Sequence, residues 1–202
     1  MSAITPQIYL ASSSPRRRDL LQQIGIVFKQ LPVAISEIKH SKESPANFAK
    51  RMALEKAIAG WQHPQRKTNQ PVLGADTIVV IGRSVLGKPK NRAEGIAMLQ
   101  RLSGKTHHVL SAVALVQGKR QSLQLSDTAV TFRSLSLSEI KTYWTITDEP
   151  CDKAGSYGIQ GLGGVFIKKI SGSYTGVMGL PLSETESLLN AFGIYLLQGK
   201  TE

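Results

Sequence analysis

Residues 71–89 read PVLGADTIVVIGRSVLGKP. An apolar, β-branched run from Val72 to Ile81 meets Gly82-Arg83, and a shorter run then ends at Gly87. That order predicts a strand, a tight turn and a returning strand. A hairpin inside the main apolar stretch excludes a purely parallel sheet, because parallel neighbours need long crossovers. On both sides of it, helical and strand patterns alternate. The class is therefore α/β, with a mixed central β-sheet flanked by helices.

Toward the amino terminus, residues 8–26 read IYLASSSPRRRDLLQQIGI. Residues 8–11 predict a short strand. Ser14 then suits a helix cap, and Pro15 the first helical turn, where its missing N–H costs nothing. Leu20, Leu21 and Ile24 form an apolar stripe, and Gly25 is a stop signal. A second strand is expected over 27–33, and a helix from Pro45 to Ala59 with Ser44 as cap and Gly60 as terminator. Past the hairpin, Asn91 opens a helix to Leu102, with Ala93, Ile96, Ala97, Leu99 and Leu102 as its core face. The run HVLSAVALV (108–116) is a strand, turned by QGKR into another over 123–132. Ser136 and Glu139 have capping-box spacing ahead of a helix through Trp144. Glycine-rich DKAGSYGIQGLGG (152–164), a strand over 165–170 and the loop SGSYTGVMGLP (171–181) follow. Ser183 and Glu186 repeat the capping-box spacing before a last helix.

At 202 residues the chain suits one domain, 1–202, with room for two lobes and a cleft between them. No apolar stretch reaches membrane-spanning length. MSAITPQ (1–7) lacks the basic and apolar regions of a signal peptide, and Cys151 has no partner cysteine, so a reducing cytoplasm is the expected setting. Lys and Arg number 25 against 14 Asp and Glu, a net +11 spread along the chain without a run of five like charges. The balance favours an anionic partner.

Several residues bear on which anion. Ser12, Ser14, Arg16 and Arg17 surround a helix start, where free N–H groups and the helix dipole attract phosphate. Arginines there oppose the dipole by about 0.3–1 kcal/mol each when exposed, so a bound anion would compensate them. Lys56 falls among core positions of its helix and either snorkels, the commoner outcome, or points at a charge. Asp76, between buried strand residues, is either satisfied by a neighbour or serves as general base or metal ligand. Lys88 sits in a turn, where lysines are usually solvated. In AGSYGIQG (154–161), glycines allow close backbone approach, while Tyr157 and Gln160 offer stacking and amide hydrogen bonds; a flexible connector is the plainer alternative. SGKT (103–106) lacks the spacing of a phosphate-binding P-loop and suits a helix-to-strand turn. His107 and His108 face opposite ways on a strand and cannot chelate together.

Taken together, LASSSPRR, SEI…LEKA, GADTIV, GKP, LSGKTHHVLSAVAL, TFRSLSLSEI, DEPCDKAGSYGIQG and GSYTGVMGLPL, in this order, resemble the Maf family of nucleoside triphosphate pyrophosphatases. The DEP-DKAG-YGIQG form resembles its dTTP/UTP branch. The resemblance implies hydrolysis between the α- and β-phosphates, to a monophosphate and pyrophosphate. It implies Asp76 as catalytic base, Arg17, Lys56 and Lys88 on the phosphates, and Arg16, Thr77 and Gln160 in pyrimidine selection; the Ser12 hydroxyl, a donor at the helix start, would line the same pocket. It also implies Mg²⁺ or Mn²⁺ held by Glu37 and Asp76. Where the family often has Asp-Glu, this chain has Ser36-Glu37, so the first of those carboxylates is missing. A nucleotide partner, a homodimer and no membrane contact are expected. Nucleic acid is disfavoured because no helix-turn-helix or basic helix is evident. The alternatives are a pyrophosphatase for other nucleotides, or a non-catalytic binding protein related to septum formation.

Overall fold

The computed structural model describes residues 5–196; the outermost parts of the terminal segments, including the start of MSAITPQ, lie outside them. Seven strands and six α-helices follow in chain order. The strands are β1 (Ile8–Leu10), β2 (Phe28–Gln30), β3 (Val72–Ile81), β4 (Ser84–Leu86), β5 (Thr106–Gln117), β6 (Arg120–Phe132) and β7 (Ile167–Ser171). The helices are α1 (Pro15–Gln23), α2 (Pro45–Trp61), α3 (Arg92–Leu102), α4 (Leu137–Ile146), α5 (Tyr174–Met178) and α6 (Leu182–Ala191). The strands form one mixed sheet in the order β2-β1-β3-β5-β6-β7, with β4 paired to β3. β1 runs parallel to both β2 and β3, whereas β3 with β4 and β6 with β7 are antiparallel.

The chain folds into two compact units, each built from segments distant in sequence. The first takes in the described residues up to Asp76, Ala112–Leu125 and those from Gly179 onward; the second takes in Thr77–Ser111 and Ser126–Met178. Asp76 and Thr77, neighbours in β3, therefore belong to different units.

In the first unit, Tyr9, Ala11, Leu31 and Val72 form a buried cluster, and Ala49, Met52, Ala53 and Ala57 line the buried face of α2. Glycine brings that face close. A Cβ on Gly60 would lie 2.7 Å from Ala11 Cβ and from Val72 Cγ1. Gly60 is thus a packing residue inside α2, not the terminator expected from sequence, and the helix continues to Trp61. In the second unit the core is aromatic. Phe132 stacks edge-on against His107, Tyr157 and Phe166, and Tyr143 against Phe166.

The hairpin turn at Gly82, with φ +58°, the Asn91 cap and the capping box on α4 match the sequence reading. Other expectations are corrected. The strand expected over 27–33 is only three residues long, and the one expected from 165 begins at Ile167. Ala93 and Ala97 are exposed, while Gly95 and Met98 are buried, because Gly95 leaves room for the Trp144 ring. Residues 171–181 contain a short helix, α5. Ser183 does not cap α6; Pro181 stands at the cap position, and Thr185 Oγ1 donates to its carbonyl at 2.7 Å.

Candidate functional site

The first unit gathers one group of sequence-selected residues around Lys56. Its ammonium lies 2.6 Å from Glu37 Oε1 and 2.7 Å from Asp76 Oδ1. The Lys56 and Asp76 side chains are only 12% and 9% exposed, whereas Glu37 is 58% exposed. Lys56 therefore does not snorkel; it reaches from α2 to the carboxylate on β3. Gly74 makes that reach possible. A Cβ there would come within 2.5 Å of Ala57 N and closer still to the Ala53 carbonyl, so only glycine lets α2 lie this near the strand. Two residues on, Asp76 faces the same helix.

The segment carrying Glu37 is tied back to α2 by Arg51. Its guanidinium donates to both Glu43 carboxylate oxygens at 2.8 Å and to the Ile38 carbonyl at 2.9 Å. The hydrogen bond from Arg51 lowers the Glu43 pKa to about 2.

Ser12 and Arg17 form the adjoining part of the cluster at the start of α1. Ser12 is 7% exposed, and its Oγ accepts from Ser14 N and from Arg17 Nη1, each at 3.2 Å. Arg17 Nε donates to the Gly179 carbonyl at 2.9 Å. Burial lowers the Arg17 pKa, with Asp76 and Glu37 opposing and Arg16 reinforcing that shift; a guanidinium still stays charged. Ser14 caps α1 without a side-chain hydrogen bond. Arg16 is half-buried next to this group. Gln30 was missed from sequence, although its Nε2 donates to the Ser12 carbonyl at 3.1 Å; an isolated glutamine in a short strand gives no signal. Gly74 could have been found, since glycine within a strand marks close backbone approach.

Chemically, this is a buried carboxylate beside fixed cations. Glu37 and Asp76 are hard oxygen donors converging on one point, the Lys56 ammonium. Such a donor set suits a divalent cation that completes its shell with phosphate oxygens and water. Among the described residues no group of three or more His, Cys, Asp or Glu is arranged to hold a metal by itself. Ser36 is exposed and offers only a hydroxyl where a carboxylate would add charge.

Thr77, Lys88 and Gln160 lie in the second unit. Thr77 Oγ1 is 2.9 Å from Ser111 Oγ, which itself donates to the Gly176 carbonyl at 2.6 Å. Lys88 and Gln160 are exposed, each on a loop. These two loops are linked: Gly155 N donates to the Gly87 carbonyl at 3.1 Å. The 154–161 stretch is not a slack connector. Gly155 and Ser156 both take positive φ, 71° and 65°, and Ser156 is fully buried. Tyr157 follows, 5% exposed, with its hydroxyl 2.8 Å from His107 Nε2. Burial lowers His107 to about 4 and raises Tyr157, so both are neutral near pH 7. His108 faces the other way and pairs with Asp127 at 2.7 Å. Cys151 is a free, exposed thiol. No helix among the described residues is long and apolar enough to cross a membrane.

Residues 7–192 match the family described as Maf-like protein. A dTTP/UTP pyrophosphatase of Saccharophagus degradans is 50% identical over 192 residues, covering 95% of this chain and 91% of that one. The protein of that name from Alkalilimnicola ehrlichii is also 50% identical, covering 94% of each chain. Its namesake from Escherichia coli K12 is 49% identical over 185 residues, 92% of each.

Proposed function

The chain belongs to the Maf family, and from that premise we propose that it hydrolyses dTTP and UTP to the monophosphate and pyrophosphate. One observation carries the reading: a buried aspartate, Asp76, is held at 2.7 Å by a lysine that also binds Glu37, beside the Ser12–Arg17 helix start. The charges fit the chemistry. A triphosphate repels any incoming nucleophile until its oxygens are neutralised, and the leaving pyrophosphate gathers further charge. Arg17, Lys56, Lys88 and the α1 N-terminus would hold those oxygens, with Ser12 fixing the Arg17 fork. Asp76 would orient the attacking water and take its proton, while the bond between the α- and β-phosphates breaks. Glu37 and Asp76 would hold Mg²⁺ or Mn²⁺, which supplies charge neutralisation when bound. Arg16, Thr77 and Gln160 would read the pyrimidine, rejecting bases that leave those polar groups unpaired. Ser36 leaves the metal with fewer protein ligands and a greater dependence on substrate oxygens. The same reading places the enzyme in the cytoplasm, among its nucleotides, as a homodimer.

The test is separate measurement of pyrophosphate and phosphate released from dTTP, UTP, CTP, dGTP, ITP and ATP, with Mg²⁺ or Mn²⁺. We expect pyrophosphate from dTTP and UTP, and a loss of about 10²–10⁴ in kcat for Asp76→Asn. Release mainly from ITP would overturn the base assignment. Nucleotide binding without turnover would overturn the enzymatic reading.

A further inference from the structure

Glu149 is the one carboxylate of the second unit around which glycines close. It heads a 3-10 turn, Glu149–Asp152, and its backbone is fixed at both ends: its N–H donates to Thr147 Oγ1 and its carbonyl accepts from Lys153 Nζ, each at 3.1 Å. The side chain points into the loop that follows Tyr157. Gly163 N donates to Oε2 at 3.3 Å. A Cβ on Gly161 would lie 2.6 Å from Oε2 and 2.7 Å from Cδ, and one on Gly158 would fall closer still to Oε1. Oε1 is enclosed and makes no hydrogen bond of good geometry; the Tyr143 side chain is the polar group that interacts with this carboxylate. The charge is felt nearby: after burial itself, Glu149 is the largest cause raising the Tyr143 pKa.

A solvent loop has no use for this arrangement. Enclosing a carboxylate oxygen this poorly satisfied is unfavourable, and two bare glycines are needed to permit it. Between those glycines stands Gln160, exposed at the tip of the wound segment. We propose that Glu149 is a positioning residue for base selection: the 158–163 loop is wound on its carboxylate, and that winding fixes where Gln160 presents its amide. The inference rests on the reading that Gln160 faces the pyrimidine. Glu149 itself touches no substrate. It acts by shape and charge, as a post whose removal leaves the glycines free to sample other conformations.

Kinetics on the full-length protein test this with Glu149→Ala, Glu149→Gln and Gln160→Ala, each with dTTP, UTP and CTP. For Glu149→Ala we expect KM for dTTP and UTP to rise about tenfold, kcat to change by less than about threefold, and the preference over CTP to shrink. The double variant with Gln160→Ala should select no worse than Gln160→Ala alone, because the two act as one unit. A uniform fall in kcat on all three nucleotides, or additive losses, would mark a merely structural residue and overturn the proposal. Glu149→Gln keeps the volume and one acceptor but loses the charge, so its selectivity should fall part of the way toward that of Glu149→Ala; if Glu149→Ala fails to fold, wild-type selectivity in a folded Glu149→Gln overturns the proposal equally. Hydrogen exchange separates this result from failure of the activity itself. The Gly163 amide should exchange about tenfold faster in Glu149→Ala even if the wild type releases no pyrophosphate; unchanged exchange would overturn the anchoring.

Discussion

The two units hold their candidate site residues by opposite means. In the first, charge reaches across a helix–strand contact: Lys56 spans Asp76 and Glu37, and Arg51 ties down the segment beside Glu37. In the second, the 154–163 stretch is held by fit. Its fixings are two positive-φ residues, a neutral His107–Tyr157 hydrogen bond and glycines closed around one carboxylate. The difference suits the proposed work. Phosphate oxygens are recognised by charge, which tolerates small displacements, whereas a base edge is read by hydrogen bonds whose geometry must be set in advance.

The strongest attack on this contrast is Gly74→Ala, because it asks whether the charged unit also depends on fit. The new methyl would overlap the α2 backbone near Ala53 and Ala57, which cannot give way as a side-chain tip could. Overpacking of this kind costs about 1–3 kcal/mol, and we expect the upper end in urea unfolding. α2 would be pushed off β3, separating Lys56 from Asp76, so turnover should fall by about 10²-fold. Wild-type activity in a folded Gly74→Ala would show that the ion pair survives without the close approach.

A smaller effect should appear in the acid response of the second unit. His107 is depressed from 6.5 to about 4, chiefly by burial. Between those values the unfolded chain binds a proton that the folded chain refuses. The neutral folded form therefore contributes its full stability above pH 6.5 and loses it progressively as pH falls toward 4. The shift corresponds to roughly 3 kcal/mol. His107→Leu should flatten that part of the curve, whatever its effect on stability at pH 7. Glu43 and Glu139, each lowered to about 2, act in a separate window below pH 4.5. If wild type and His107→Leu lose stability in parallel between pH 6.5 and 4, the buried neutral pair does not set the acid response.

The same contrast explains what could be read from sequence. Lys56 and Asp76 stood out because charge among apolar positions is costly, and Arg17 because a cation at a helix start opposes the dipole. The mixed sheet followed from one hairpin. Gln30 and Glu149 gave no such signal: a glutamine in a three-residue strand and a glutamate before a proline look like ordinary surface. Their roles come from contacts over distances in sequence that no local pattern encodes. Gly60 misled for a related reason. Glycine after a helical stripe suggests a stop, but at this position it is the absence of a side chain against Ala11 and Val72 that matters.

Helix caps give the finest version of the comparison, since one spacing occurs once in each unit. In the second, Ser136 Oγ accepts from Glu139 N at 3.2 Å, and Glu139 Oε2 accepts from Ser136 N at 2.9 Å, closing a capping box at α4. In the first, Ser183 and Glu186 have the same spacing, yet Ser183 is an exposed residue already inside α6. Proline at 181 starts the helix two residues early, and Thr185 turns its hydroxyl back to the Pro181 carbonyl. Ser136→Ala should therefore cost about 1 kcal/mol. Ser183→Ala should change stability by no more than about 0.5 kcal/mol, and in the stabilising direction, because alanine is the better helix former. Paired urea titrations of the two variants measure the difference. Equal losses would mean that Ser183 caps α6 after all, and that the helix begins where the sequence first suggested.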